Sequence, residues 1–128
     1  MAYDRAAIVR RFAELDRYQP PHHVGTTNRR IFGPEDGIGD FSMVRGTLRP
    51  GGGADPHYHE HSDQLIFVMS GRCRVRAGAS DAVLVGNDTA FLPRLVPHVV
   101  DVLGDEPLEL SIAYLPALRP GDTNPARV

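Results

Sequence analysis

The sequence predicts an all-β domain, a sandwich or barrel of short antiparallel strands preceded by a short helical arm. Three observations carry this prediction. From Asn28 onward, apolar and β-branched runs are broken by Gly, Pro, Asn or Asp at roughly eight- to twelve-residue intervals, the rhythm of strands and turns in sandwiches and barrels. A helical period appears only once, at Ile8, Val9, Phe12 and Leu15 within Ala6 to Tyr18, with Asp4 as N-cap and Pro20-Pro21 as the stop. The 128 residues suit a single domain able to bury one core without disulfides. The chain divides into an arm (1–27), a β-barrel (28–118) and a tail (119–128).

The expected strands are Arg29 to Phe32, Phe41 to Leu48, Pro56 to His61, Gln64 to Met69, Arg72 to Arg76, Ala82 to Val85, Thr89 to Leu92, His98 to Leu103 and Leu108 to Leu115. Turns are marked by Pro34 to Gly39, Pro50 to Gly53, Ser70-Gly71 (read as a tight hairpin), Ala77 to Asp81 and Gly104 to Pro107. In Leu65-Ile-Phe-Val-Met69 both faces are apolar, so the arm or a second subunit must cover the outside, and a homodimer is expected. Strict alternation in Arg72-Cys-Arg-Val-Arg76 turns the arginines to solvent and Cys73 inward as a small buried hydrophobe. The tail from Arg119, rich in Pro and Gly, is expected to be disordered or to wrap a neighbour.

Composition removes several classes of function. With 41% apolar residues and no apolar run near the ~20 needed to span a bilayer, a membrane partner is not expected. The net charge of -2 is interspersed, leaving no basic stripe for phosphates, so nucleic acid is not expected either. All 14 basic residues are Arg, which excludes Schiff-base and phosphate-loop lysines. G-x-S-x-G, G-x-G-x-x-G and C-x-x-C are missing. Cys73 has no disulfide partner and the first residues carry an acid where a secretory signal is basic, so the expected location is cytoplasmic.

Chemistry concentrates in Gly51-Gly-Gly-Ala-Asp-Pro-His57-Tyr-His59-Glu-His61-Ser-Asp63-Gln64. Residues two apart on a strand share a face, so His57 and His59 can reach one ion, with an oxygen ligand from Asp63 or Gln64. A distant candidate is His98, which follows a proline turn at the start of an apolar strand. Three or four ligands with open positions describe a catalytic rather than a closed structural site. His61 shares the parity of His57 and His59 and is the candidate general base, since imidazole titrates near working pH. Tyr58 and Glu60 alternate outward. His22 and His23, beside the prolines, read as exposed loop residues and not as ligands. Parity with His98 turns Val96, Val100 and Val102 inward, joined by Ile66 or Phe67, Met43 and Tyr114 in a mostly apolar pocket for a small organic substrate. Arg45, sharing a face with Met43, is either solvent-exposed or the partner of a substrate carboxylate.

These residues resemble the cupins, in particular the small single-domain ones. The first cupin motif, G-x5-H-x-H-x3,4-E-x6-G, is matched in every spacing by Gly51, His57, His59, Gln64 and Gly71, with Gln in place of Glu. The second, G-x5-P-x-G-x2-H-x3-N, is similar to the stretch from Gly86 through Pro93 and His98, with one extra residue before Pro93, Leu95 in place of Gly and Val102 in place of Asn. The resemblance covers residues 51 to 102. It implies a conical antiparallel jelly-roll barrel holding one divalent transition metal (Fe, Zn, Ni or Mn) through His57, His59, His98 and Gln64. A Gln at the carboxylate position leaves the ion its full divalent charge, which strengthens it as a Lewis acid and disfavours higher oxidation states. The activity implied is dioxygenase, isomerase, cyclase or lyase chemistry on a chelated, oxygenated small molecule. The alternative is a cupin module that binds or senses a small molecule or metal without turnover.

Overall fold

A computed structural model describes residues 6–127. It is a nearly closed antiparallel barrel of eleven strands: β1 (Arg17–Tyr18), β2 (His23–Phe32), β3 (Ser42–Ala54), β4 (His57–Tyr58), β5 (Asp63–Ser70), β6 (Arg72–Ala77), β7 (Ser80–Val85), β8 (Thr89–Leu92), β9 (His98–Leu103), β10 (Leu108–Leu115) and β11 (Asn124–Pro125). The last three expected barrel strands, now β8, β9 and β10, have the predicted bounds. Hydrogen bonding orders one wall β1-β2-β3-β10-β5-β8 and the other β7-β6-β9-β4-β11. The walls join where the far end of the long β3 pairs with β9, Gly53 opposite Asp101. No helix among the described residues is long and apolar enough to cross a membrane.

Ser70-Gly71 is not a hairpin. Strands β5 and β6 pair with different neighbours, and the chain crosses between walls there. Gly71 has φ 86°, and a Cβ on it would sit 2.5 Å from the Pro107 carbonyl oxygen, so the crossing is wedged against the β9–β10 turn where only glycine fits. Ala77 to Asp81 does form the expected two-strand turn, Ala77 opposite Ser80.

Alternation sorts the strands into core and surface. Val68, Cys73, Val75, Leu92 and Leu108 pack one end of the barrel solidly. Cys73 faces inward as predicted, and burial pushes its thiol up to about 11, which makes it unreactive. On β3 the parity is the reverse of the expected one. Ser42, Val44, Gly46 and Leu48 face in, while Met43 and Arg45 face out. On β5 it is Ile66 that faces in; Leu65, Phe67 and Met69 are exposed.

The arm is not helical. Among its described residues the one helical segment is the 3₁₀ turn Phe12–Glu14, and Asp4 lies outside the described residues. An isolated helix of about a dozen residues is marginal in water, and here tertiary contacts hold the extended form. The Phe12 ring lies under the guanidinium groups of Arg29 (4.2 Å) and Arg45 (4.9 Å), and Arg29 donates to the Phe12 carbonyl at 2.7 Å. Arg10 bridges to the Ile31 carbonyl and to Asp36. The arm thus covers the outside of β2 and β3 and leaves the apolar outer face of β5 open.

Nor does the tail leave its own barrel. Strand β11 pairs with β4, and Asp122 is buried against the turn that follows His59.

Candidate metal centre

His57 and His59 are set by strand β4 and the turn after it, and His98 opens β9, where it stands opposite His57 in register. The three rings cluster with centroids 4.5 Å (His57–His98), 5.1 Å (His57–His59) and 5.3 Å (His59–His98) apart. One nitrogen from each lies within 4.8 Å of the others, and all three residues are buried.

Backbone carbonyls decide which nitrogens these are. The Nδ1–H of His57 donates to Asp55 O at 2.8 Å, that of His59 to Asp122 O at 2.7 Å, and that of His98 to Val96 O at 3.3 Å. Each bond fixes the tautomer with the lone pair on Nε2, aimed at the cluster centre, as metal-binding imidazoles require. The Nε2 atoms of His59 and His98 are buried with no hydrogen-bond partner, and so is the Oε1 of Gln64. Unpaired buried acceptors are costly, and all three residues line one cavity. The donor set fits a divalent ion: neutral imidazoles and an amide oxygen suit Zn, Fe or Ni.

Electrostatics keeps the cluster ready for a cation. Burial, then the neighbouring imidazoles, lowers the His98 pKa to about 3; burial also lowers that of His57. Both rings are therefore neutral at ordinary pH, the form in which imidazole can bind a metal. The sign for stability follows. An unfolded imidazole protonates near pH 6.5 and buried His98 only at about 3, so protons favour the unfolded chain in between, and the lowered His57 pKa acts in the same direction. The metal-free protein should hold the His98 contribution above pH 6.5 and lose it as pH falls toward 3, at up to about 1.4 kcal/mol per pH unit. Denaturant titrations of apoprotein at pH 7 and pH 5 measure this; equal midpoints would contradict it.

Two supporting residues were not anticipated. Asp122 lies in the tail. Its carboxylate accepts from the backbone N–H of Glu60 (2.8 Å) and His61 (2.9 Å), while its carbonyl holds the His59 ring. Burial opposes its ionisation, but these bonds and one from Asn124 outweigh that and lower its pKa. His23 is on β2 rather than in a loop. It lines the cavity with its ring centroid 6.0 Å from His57, Nδ1 3.0 Å from Thr26 Oγ1, and burial lowers its pKa to about 4. Expecting a strand only from Arg29 hid both its parity and its inward position. His22 is exposed.

The remaining expected site residues separate. Gln64 is buried at 6% exposure and lines the cavity. Asp63 is tied by its carboxylate to the Arg94 side chain and backbone N–H. His61 is exposed outside the cavity, its Nε2 3.4 Å from the Glu60 carboxylate. Of the pocket residues, Ile66, Val100 and Tyr114 line the cavity and Val102 packs on the core, whereas Val96, Met43 and Phe67 do not reach the cavity. Tyr114 meets the His59 ring edge-on at 5.5 Å.

The cavity measures about 640 Å³, the size of sites for drug-like molecules. The imidazoles and Gln64 form one part of its lining, and Val44, Leu48, Ile66, Leu110 and Ile112 an apolar part. The arm (Tyr18, Pro20, Pro21), the segment Ala117 to Thr123 and the charged side chains of Arg30, Glu35 and Asp40 also line it.

Comparison with known proteins agrees with this fold. The family described as Cupin domain matches residues 44–114. The tetracenomycin polyketide synthase protein TcmJ of Streptomyces glaucescens is 27% identical over 113 residues, 83% of this chain and 75% of that one. Among solved structures, the polyketide cyclase RemF from Streptomyces resistomycificus superposes with TM-score 0.80 at 18% identity, covering 96% of this chain and 87% of that one. A predicted oxalate decarboxylase from Thermotoga maritima gives 0.75 at 18% (84% and 97% covered). KdgF from Halomonas sp. gives 0.72 at 21% (91% and 98% covered).

Proposed function

Because this chain belongs to the cupin family, we propose that it is a metal-dependent enzyme that closes a ring in an oxygenated, polyketide-like substrate chelated at the His57, His59, His98 and Gln64 site. The observation that carries the reading is the buried His57, His59 and His98 cluster, with unpaired acceptor atoms on His59, His98 and Gln64, in a roomy, largely apolar cavity. A bound divalent ion would supply Lewis acidity there, polarising a carbonyl or enol oxygen. The amide of Gln64 leaves that ion its full charge, which favours polarisation over oxygen activation. The apolar residues hold a flexible chain folded and exclude water, so that the reacting carbons meet. His23, kept neutral by burial, lines the cavity where it can accept a hydrogen bond from a substrate enol; His61, the expected base, lies outside the cavity beside Glu60. The names of the polyketide synthase protein and the polyketide cyclase support the substrate class.

The working unit is a homodimer. Leu65, Phe67 and Met69 on β5 and Phe91 on β8, 57% exposed, give one apolar outer face that the arm leaves open, and pairing two copies buries it. Free, buried Cys73 fits a reducing cytoplasm.

The test is anaerobic reconstitution with Zn, Ni, Fe or Mn, followed by a poly-β-ketone substrate. Ring closure seen by absorbance without oxygen uptake is the expected result. Oxygen uptake would move the assignment to a dioxygenase, and no turnover with any metal to a binding or sensing module.

A further inference from the structure

Beyond the metal centre, one feature of the cavity wall lacks any structural purpose. Strand β2 turns Thr26 and Asn28 inward among apolar neighbours. Thr26 is satisfied, its hydroxyl lying 3.0 Å from His23 Nδ1. Asn28 is not: the residue is only 7% exposed, lines the cavity, and its Oδ1 is buried with no partner. A side-chain amide in such a wall is normally paired, and leaving it unpaired costs stability that Leu or Val would not cost.

Space for this amide comes from the next strand. Asn28 stands opposite Gly46 on β3, and a Cβ on Gly46 would lie 3.1 Å from Asn28 Oδ1 and 3.6 Å from Ile112 Cδ1. The backbone of Gly46 is not in the left-handed region, so turn geometry does not demand glycine there. Gly46 instead leaves room for the amide, whose χ2 is soft enough to present either its oxygen or its NH₂ to the cavity. Asn28 also belongs to a different strand from every residue of the metal cluster, and beside its Oδ1 over Gly46 stand the apolar side chains of Ile112 and Leu48.

We propose that Asn28 is a specificity-determining residue, a second recognition point that hydrogen-bonds a hydroxyl or carbonyl of the substrate remote from its chelating pair. The substrate class is thereby narrowed to extended, polyoxygenated molecules with oxygens at both ends. A molecule lacking the remote oxygen leaves the amide unpaired and is discriminated against. This rests on the cavity being the substrate site proposed above.

The probes are a monohydroxyanthraquinone, whose hydroxyl and adjacent carbonyl form the chelating pair, and its dihydroxy counterparts bearing the second hydroxyl on the far ring. Binding to zinc-loaded full-length protein is followed by the probe's absorbance. At least one dihydroxy isomer is expected to bind wild type about tenfold more tightly than the monohydroxy probe. In Asn28→Leu that advantage should vanish, with monohydroxy affinity within about twofold of wild type, zinc content unchanged, and the melting temperature equal or higher because the unpaired amide is gone. Gly46→Ala should reduce the same preference by displacing the amide without removing it. The proposal is overturned if no isomer gains in wild type, if Asn28→Leu keeps the preference, or if that variant melts lower and loses both probes alike. Zinc content of His98→Ala tests the metal reading separately: its loss alongside absent isomer preference would sink Asn28 and leave the metal site standing.

Discussion

Replacing His98 by alanine is expected to reduce the metal content of purified protein from close to one ion per chain to below about a tenth of that, and His57→Ala should do the same. Removing even an outer partner of a ligand costs roughly 10–100-fold in metal affinity, and removing a ligand itself should cost more. Two rings and an amide would remain around a cavity the size of the missing imidazole. The folded protein should persist, because burying a neutral, unpaired Nε2 makes His98 a liability in the apoprotein. His61→Ala is the contrast, since that ring faces Glu60 and should leave metal content intact. Elemental analysis of the three variants decides the matter; full occupancy in both His57→Ala and His98→Ala would sink the site.

Asp122→Ala should weaken metal binding about 10–100-fold without touching a ligand. Its carboxylate holds the backbone N–H groups of Glu60 and His61 in the turn that follows His59, and its own carbonyl orients the His59 ring. Loss of the carboxylate strands two backbone donors, a cost of about 1–3 kcal/mol for each that stays buried. The variant should therefore also melt lower. Asp122→Asn retains one acceptor oxygen and should fall between. Competition with a chromophoric chelator on the folded protein separates affinity from stability; unchanged affinity in Asp122→Ala would make this residue merely structural.

Much of the barrel was legible because its signals are local. Period-two alternation, Gly and Pro punctuation and the His57-x-His59 spacing act over a few residues, and they located β8, β9 and β10 and the histidines that come together in the candidate centre. What failed depended on distant surfaces. The stripe Ile8, Val9, Phe12, Leu15 has helical spacing, yet Phe12 is claimed by Arg29 and Arg45 from two other strands. On β3, apolar Met43 suggested the inner face, but the cavity tolerates Ser42 and Gly46 inside, and Arg45 is held outside by the arm. His23 was set aside because the strand carrying it begins within a Pro-rich stretch. The tail held no periodic pattern at all; Asp122 acts through hydrogen bonds to residues some sixty positions earlier, which no sequence window spans.

That last contact separates the boundaries of the family's strands from the boundaries of a working site. A fragment trimmed to the matched residues 44–114 would carry every proposed metal ligand. It would lack the carbonyl that aims the His59 ring, the carboxylate that sets its turn, and the β2 wall with Asn28. Such a fragment would have the ligands without their aim, so grafts and fusions of this domain should retain the chain at least through Asn124, where β11 docks.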